Sequence, residues 1–365
     1  MSLPCIMKTN VFREFFRNPD KRKSLNKEVT QLSQTEFDNQ LPTESSQLIL
    51  DTILPSSILE FNVTSEFIID ISEAPIDSVP DELTPQLLEI LPQHCSGNSR
   101  QGKKWDIYLG DALAVLKELP DNSFSCIITS PPYYWLRDYG VEGQIGKEWT
   151  VKKYVDAVAE VMDQVKRVLK VDGVFFLNLG DTYYSGKGES QGVDKKSKKR
   201  RFGLRAVDAS GLGLPQKSLI GIPWRVALEM VDRGWVLRSS IIWDRLHSLP
   251  EHVADRPGRT YENIFMFVKS RKYFFNQEAL GGQREDVWTI KARPKPTPGI
   301  STAPFPDELA QKCINLGCPI DGNVLDPFAG SGTVLRVAIQ SGRDATGIDL
   351  NPDFCAFMIE QLTKL

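Results

Sequence analysis

The chain has 365 residues, 41% apolar and 25% charged, with a formal net charge of −3. This is the balance of a globular protein with a sizeable core, and no apolar run reaches the ~18 residues that a membrane-spanning helix needs. The opening MSLPCIMKTNVFREFF lacks an apolar stretch of signal-peptide length, so an intracellular setting is expected: cytoplasm or nucleoid in a bacterium, nucleus in a eukaryote.

Charge is unevenly distributed. Residues 1–99 carry 7 Lys or Arg against 15 Asp or Glu, leaving 37 against 32 for the remainder. From Glu28 to Ser99 there are 13 acidic side chains and no basic one. A net-acidic chain can therefore still present a basic working surface. Residues 1–100 hold no glycine before Gly97 and only short apolar patches, such as SILEFNV and EFIIDI. They read either as a partly disordered extension or as a small appended domain, acidic enough to dock a protein partner or to shield a basic face. HCSGNSRQGKK (His94–Lys104) reads as the linker to a second domain at 101–365. Of six cysteines, Cys313 and Cys318 are five apart with no Cys or His near enough to complete a cluster, so all six read as structural and no metal is expected.

Beyond the linker, strand and helix patterns alternate. WDIYLGD (Trp105–Asp111) predicts a strand ending in a turn, then ALAVLKEL a helix. FSCIITS (Phe124–Ser130) is the next strand. TVKKYVDAVAEVMDQVKRVL (Thr150–Leu169) has apolar residues at helical spacing, and VDGVFFLNLGD (Val171–Asp181) reads as a buried strand. IPWRVALEMVDRG is a helix, WVLRSSIIWD and ENIFMFVKS are strands, and FPDELAQKCINLG is a helix leading to NVLDPFAG. This alternation predicts a doubly wound, mostly parallel α/β sheet.

Two stretches carry chemistry. In TSPPYYW (Thr129–Trp135) the prolines end strand pairing and stiffen the exit, with a serine before them and three aromatics after. In NVLDPFAGSGTVLRVAIQSGRDATGID a strand ends at Asp326, a loop holds Gly330 and Gly332, and a second strand ends at Asp349, 23 residues on. This is a βαβ unit with glycines where backbone must approach a ligand and an acid placed to bind ribose hydroxyls. The chain ends one helix later, so the rest of the sheet comes from earlier sequence. Asp111, Asp326 and Asp349 would then line one crevice at the strand ends.

DPFAGSGT (Asp326–Thr333) together with TSPPY resembles the AdoMet-dependent amino-methyltransferases of DNA. The order, catalytic stretch first and cofactor loop last, resembles their circularly permuted β class, as does APFPDEL (Ala303–Leu309) ahead of the loop. The resemblance spans roughly Lys104 to Leu365. It implies a seven-stranded, circularly permuted methyltransferase sheet with S-adenosyl-L-methionine as cofactor and double-stranded DNA as substrate, and no membrane association. By the same resemblance Asp349 binds the ribose hydroxyls and Asp111 the adenine amino group. Phe328 lies against the cofactor and Phe305 walls the pocket. The Gly330, Ser331 and Gly332 backbone and Thr333 sit near its amino-acid end.

An exocyclic base amine is a poor nucleophile because its lone pair is delocalised. Acceptors that bond its N–H groups free that pair, and the Pro131 carbonyl is held rigidly by Pro131 and Pro132 for this purpose. The Ser130 hydroxyl either accepts from the amine or donates to a ring nitrogen. The base must leave the duplex, and Tyr133 would stack on it. In the family the first residue of this motif is usually Asp or Asn for adenine N6 and often Ser for cytosine N4, so Ser130 points to cytosine N4. Adenine N6 is the alternative, with a non-catalytic DNA-binding module or an RNA-directed enzyme as further readings. The only Pro-Cys pair, Pro4–Cys5, lies far outside the Lys104–Leu365 stretch that carries the resemblance, which argues against cytosine-C5 chemistry. A role in restriction–modification or in epigenetic marking follows.

Two segments are expected to contact DNA. KKSKKRRFGLR, within 185–213, supplies Lys195, Lys196, Lys198, Lys199, Arg200 and Arg201 for phosphates. The 243–260 segment supplies Arg245, Arg256 and Arg259, and its His247 and His252 are expected as surface residues.

Overall fold

The computed structural model describes residues 94–136, 139, 141–184, 212–246, 253–282, 285–292 and 305–365. The chain divides into Met1–Leu91 and Pro92–Leu365, and the described residues all belong to the second unit. The readings made for residues 1–93 and for Lys195–Arg205 lie outside the described residues.

Among the described residues nine strands form one sheet: β1 (His94–Asn98), β2 (Lys104–Leu109), β3 (Phe124–Thr129), β4 (Leu169–Leu179), β5 (Val236–Asp244), β6 (Tyr261–Val268), β7 (Val287–Thr289), β8 (Asn323–Asp326) and β9 (Asp344–Asp349), in the order β1-β2-β9-β8-β3-β4-β6-β5-β7. Neighbours are parallel except at β1/β2, β4/β6 and β6/β5, so the sheet is mixed and mostly parallel, as expected. The count differs from the seven expected, because β1 and β7 extend the two edges. Part of the expected linker is therefore sheet. Gly97 lies opposite Trp105, and a Cβ there would stand 2.2 Å from the indole, so this edge strand is glycine-dependent.

Among the described residues six α-helices cover the faces: α1 (Ala112–Glu118), α2 (Val151–Val168), α3 (Ile222–Asp232), α4 (Asp307–Gly317), α5 (Thr333–Gln340) and α6 (Pro352–Leu362). α2 begins where the Thr150 hydroxyl accepts the Lys153 amide, and its stripe of Tyr154, Val158, Val161, Met162 and Val165 is fully buried. It packs with α1 and α3 against Ile127, Phe175, Leu177, Phe265 and Phe267. Strand alternation sends Cys126, Ile128, Val174, Phe176 and Ile264 to the opposite face, under α4, α5 and α6. Each fully buried apolar side chain of this kind contributes about 1.5–3 kcal/mol.

The two faces define where a ligand can sit. The chain leaves β3 for α2 on one face and leaves β8 for α5 on the other, and the two crossovers lead to opposite neighbours, β4 and β9. β3 and β8 are hydrogen-bonded neighbours, so this is the switch point, with a crevice beyond their C-terminal ends.

Candidate active site

The residues from both chemistry-bearing stretches meet at that crevice. Thr129, at the end of β3, donates its hydroxyl to Asp326 Oδ1 at 2.6 Å, across 197 residues of sequence. The same oxygen accepts the Phe328 amide at 3.1 Å, so Asp326 also holds the start of the glycine loop. Asp326 is buried, and that burial pushes its carboxyl up to about 7 despite both bonds.

Asp349 ends β9 beside it. Its Oδ2 accepts the Gly330 amide at 2.7 Å and its Oδ1 the Asn351 amide at 2.8 Å. Burial raises this carboxyl to about 6, against those backbone bonds. Carboxylate oxygens carry about two acceptor sites each, so both oxygens retain capacity for a ligand hydroxyl. Gly330 (φ 52°) has open space where a Cβ would stand. Gly332 (φ 72°) begins α5 without a side-chain cap, so the helix amides face the crevice. Its glycine has a second cause: a Cβ would sit 2.6 Å from Met358 Cγ, so this position is dictated by packing onto α6 as well as by φ. Ser331 and Thr333 place their hydroxyls 3.5 Å apart at the helix start.

The remaining expected cofactor residues are spread more widely. Asp111 is exposed at the end of β2 and spends Oδ1 on the Ala114 amide as the N-cap of α1. The Gly110 amide donates to the Asp349 carbonyl at 3.0 Å, tying that turn to β9. Phe328 packs against the core under α1, α2 and α3, whereas Phe305 packs against the opposite core.

At the proline exit only one of the three rings stays beside the serine. Tyr134 and Trp135 are core residues, 1% and 3% exposed. Trp135 holds a positive φ of 49°, uncommon for a large residue, fixed by its amide to Gly146 O (2.7 Å) and its indole N–H to Glu148 O (2.7 Å). Pro131 is buried, and among the described residues its carbonyl accepts no hydrogen bond. The Pro132 carbonyl is taken by the Tyr154 hydroxyl at 2.9 Å.

Tyr133 lies against Gly180, where a Cβ would come within 2.6 Å of the ring. Its hydroxyl donates to Glu262 Oε2 at 2.6 Å and accepts from Ser130 Oγ at 3.1 Å. Burial, followed by the Glu262 charge, pushes the phenol well above its ordinary range. Asn178 Nδ2 reaches Tyr133 Oη at 2.7 Å and Glu262 Oε2 at 2.9 Å. Asn178, Glu262 and Asp181 were not among the expected site residues. Each is a polar side chain at the site end of an apolar strand or just beyond it, on LNLGD or ENIFMFV. Asp181 accepts the amides of Thr182, Gly221 and Ile222, fixing the entry to α3.

The expected DNA contacts fall out differently. Arg245 turns inward, pairing with Glu262 Oε1 at 2.8 Å and donating to the Arg259 carbonyl at 3.2 Å. Arg256 stacks its guanidinium 3.7 Å from the Tyr183 ring centre, with Arg259 5.5 Å from the same ring and bonded to the Asp181 carbonyl. Lys195, Lys196, Lys198, Lys199, Arg200, Arg201, His247 and His252 lie outside the described residues. No helix among those described is long and apolar enough to cross a membrane.

Comparison with known proteins places this geometry. The DNA methylase family model matches residues 124–361. The chain is 42% identical over 264 residues to the Type II methyltransferases M.XycI of Xanthomonas campestris pv. cyanopsidis and M.Cfr9I of Citrobacter freundii, covering 70% of this chain and 87% of each relative. It is 38% identical over 268 residues to Type II methyltransferase M.SmaI of Serratia marcescens, covering 71% and 90%. In fold it is similar to the structure of PvuII DNA methyltransferase (cytosine-N4-specific), with TM-score 0.54 and 21% identity over 70% of this chain and 86% of that one. The two chemistry-bearing stretches, joined at one crevice and lying inside or at the edge of the matched residues, identify the chain as a member of the DNA methylase family.

Proposed function

We propose that the chain transfers a methyl group from S-adenosyl-L-methionine to the exocyclic N4 amine of a cytosine flipped out of double-stranded DNA, as a Type II modification enzyme. The observation that carries this reading is the Thr129–Asp326 hydrogen bond, which ties the residue preceding Ser130 to the strand that carries the glycine loop. Ser130 favours cytosine N4, and the relatives, all Type II methyltransferases by name, support a modification role. The strands β2-β9-β8-β3-β4-β6-β5 would be the seven-stranded core in circularly permuted order. Residues 1–93 would then be an acidic extension outside the catalytic unit.

The crevice suits the cofactor. The open space at Gly330, the uncapped start of α5 and the spare acceptor capacity of Asp349 fit its amino-acid end and ribose. Asp111 keeps one carboxylate oxygen for the adenine amine, with Phe328 alongside. When bound, the cofactor supplies a methyl group on a sulfonium, ready for in-line displacement. The chain's task is to position the amine and free its lone pair. The Pro131 carbonyl, rigid and with no donor to it among the described residues, accepts one amine N–H. Tyr133 stacks on the base through the ring face not covered by Gly180. Arg256 and Arg259, together with 185–213, contact phosphates.

Incubating the protein with AdoMet and unmethylated duplex DNA, then analysing nucleosides by mass spectrometry, tests the reading. N4-methylcytosine is expected. N6-methyladenine alone would reassign the base, and no methylated nucleoside would overturn the activity.

A further inference from the structure

We propose that Glu262, on a strand far from both motifs in sequence, sets the direction of a hydrogen-bond chain that makes Ser130 the acceptor for the target amine and carries the amine's proton away. The inference rests on the reading above and deepens it.

β6 runs antiparallel to β4, so its first residues land at the same edge as the last residues of β3 and β4. There Glu262 ends a chain of three hydroxyl-linked groups. The Tyr133 hydroxyl donates to Glu262 Oε2 at 2.6 Å, and Ser130 Oγ donates to Tyr133 Oη at 3.1 Å. A carboxylate only accepts, so the direction of the chain is fixed at this end. Tyr133 must give its proton to Glu262, and its oxygen is left to accept from Ser130. Ser130 has then spent its one proton, and only its lone pairs remain for a base. A serine so polarised accepts from an exocyclic amine and cannot donate to a ring nitrogen.

The surrounding groups enforce this. Asn178 Nδ2 lies within donor reach of Tyr133 Oη, Glu262 Oε2 and, at 3.4 Å, Ser130 Oγ, so its amide presents donors to every oxygen of the chain and leaves Ser130 one lone pair for the target amine. Arg245 pairs with the other carboxylate oxygen at 2.8 Å, with Glu262 11% and Arg245 24% exposed. Tyr133, Arg245 and Asn178 are thus the groups facing the carboxylate. The pair holds Oε2 toward Tyr133 and explains why Arg245 turns away from solvent.

The chain also has somewhere to put a proton. As the nitrogen–carbon bond forms and the carbon–sulfur bond breaks, sulfur takes the electron pair and the attacking nitrogen must lose a proton. The proton passes to Ser130 Oγ as the Ser130 proton moves to Tyr133 Oη and the Tyr133 proton to Glu262. The serine and tyrosine end neutral, and Glu262 ends protonated. Glu262 touches neither base nor cofactor in this scheme, so it is a positioning residue that acts through Tyr133.

Glu262→Gln keeps the shape but places an amide donor where an acceptor stood. Single-turnover methyl transfer to unmethylated genomic DNA is expected to fall about 100-fold, the scale of lost proton-transfer assistance. AdoMet and DNA dissociation constants should stay within about twofold. Without cofactor, the Tyr133 phenol should ionise at lower pH in Glu262→Gln, read as 295 nm absorbance against Tyr133→Phe. Tyr133→Phe should lose rate to a similar degree, and the double variant should be no slower than Tyr133→Phe alone. A rate within threefold of wild type, a parallel loss of AdoMet binding, or multiplied losses in the double variant would each overturn the proposal. If Glu262→Gln fails to fold, Tyr133→Phe decides on its own rate and binding. A wild-type protein that transfers no methyl group would instead sink the underlying function.

Discussion

Thr129→Val removes one hydroxyl from a buried strand residue and leaves its β-branched shape intact. Thr129 is 1% exposed, and its hydroxyl spans β3 and β8 to reach Asp326. A hydrogen bond to a charged, buried partner is worth about 1.5–3 kcal/mol, against about 1 kcal/mol for a neutral pair. The Asp326 carboxyl titrates at about 7, so at pH 8 it is mainly ionised and at pH 5 protonated. The variant should lose about 2 kcal/mol at pH 8 and about half that at pH 5. For a unit of this size, 2 kcal/mol corresponds to a melting shift of about 4–8 °C. Scanning calorimetry of both proteins at both pH values measures the difference. A shift equal at the two pH values, or one worth less than ~0.5 kcal/mol at pH 8, would refute the argument that this bond joins the two halves of the site.

The other predictions concern the cofactor loop and its acids. Asp349 titrates at about 6 and serves as an acceptor, so AdoMet affinity measured by calorimetry should weaken about tenfold from pH 8 to pH 5; Asp349→Asn should bind weakly with no such slope. Asp326 and Asp349 hold protons more tightly folded than unfolded. Their contribution to stability is therefore full below about pH 4 and is lost as pH rises through about 6 and about 7. Asp326→Asn should flatten the decline in melting temperature between pH 5 and pH 8. Gly332→Ala combines a left-handed φ of 72° with a Cβ 2.6 Å from Met358 Cγ, and should cost about 2–3 kcal/mol in chemical denaturation.

Much of this architecture was legible because its patterns are local. Thr150 and Leu169 bracket α2 as expected, since a capping hydroxyl and an apolar stripe are written into adjacent residues. The glycine loop and the proline exit were legible because each packs its chemistry into a few positions. β1 was not: HCSGN has none of the branched or aromatic residues that mark strands, and it forms by laying Gly97 across Trp105. β7 is three residues at an edge, too short for a pattern. Glu262 and Asn178 were invisible because their role depends on β6 inserting between β4 and β5, an ordering that no local pattern encodes. Gly332 was read as letting backbone approach a ligand; that packing onto Met358 also forbids a side chain there depends on α6, which no local pattern encodes.

The central claim is that Ser130, placed beside the cofactor loop by the Thr129–Asp326 bond, activates a cytosine amine. Nucleoside mass spectrometry of duplex DNA treated with wild-type protein and with Ser130→Ala tests it most directly. N4-methylcytosine from the wild type and none, or about a hundredfold less, from Ser130→Ala is the predicted result. Equal product from both proteins, or N6-methyladenine as the sole product, would contradict it.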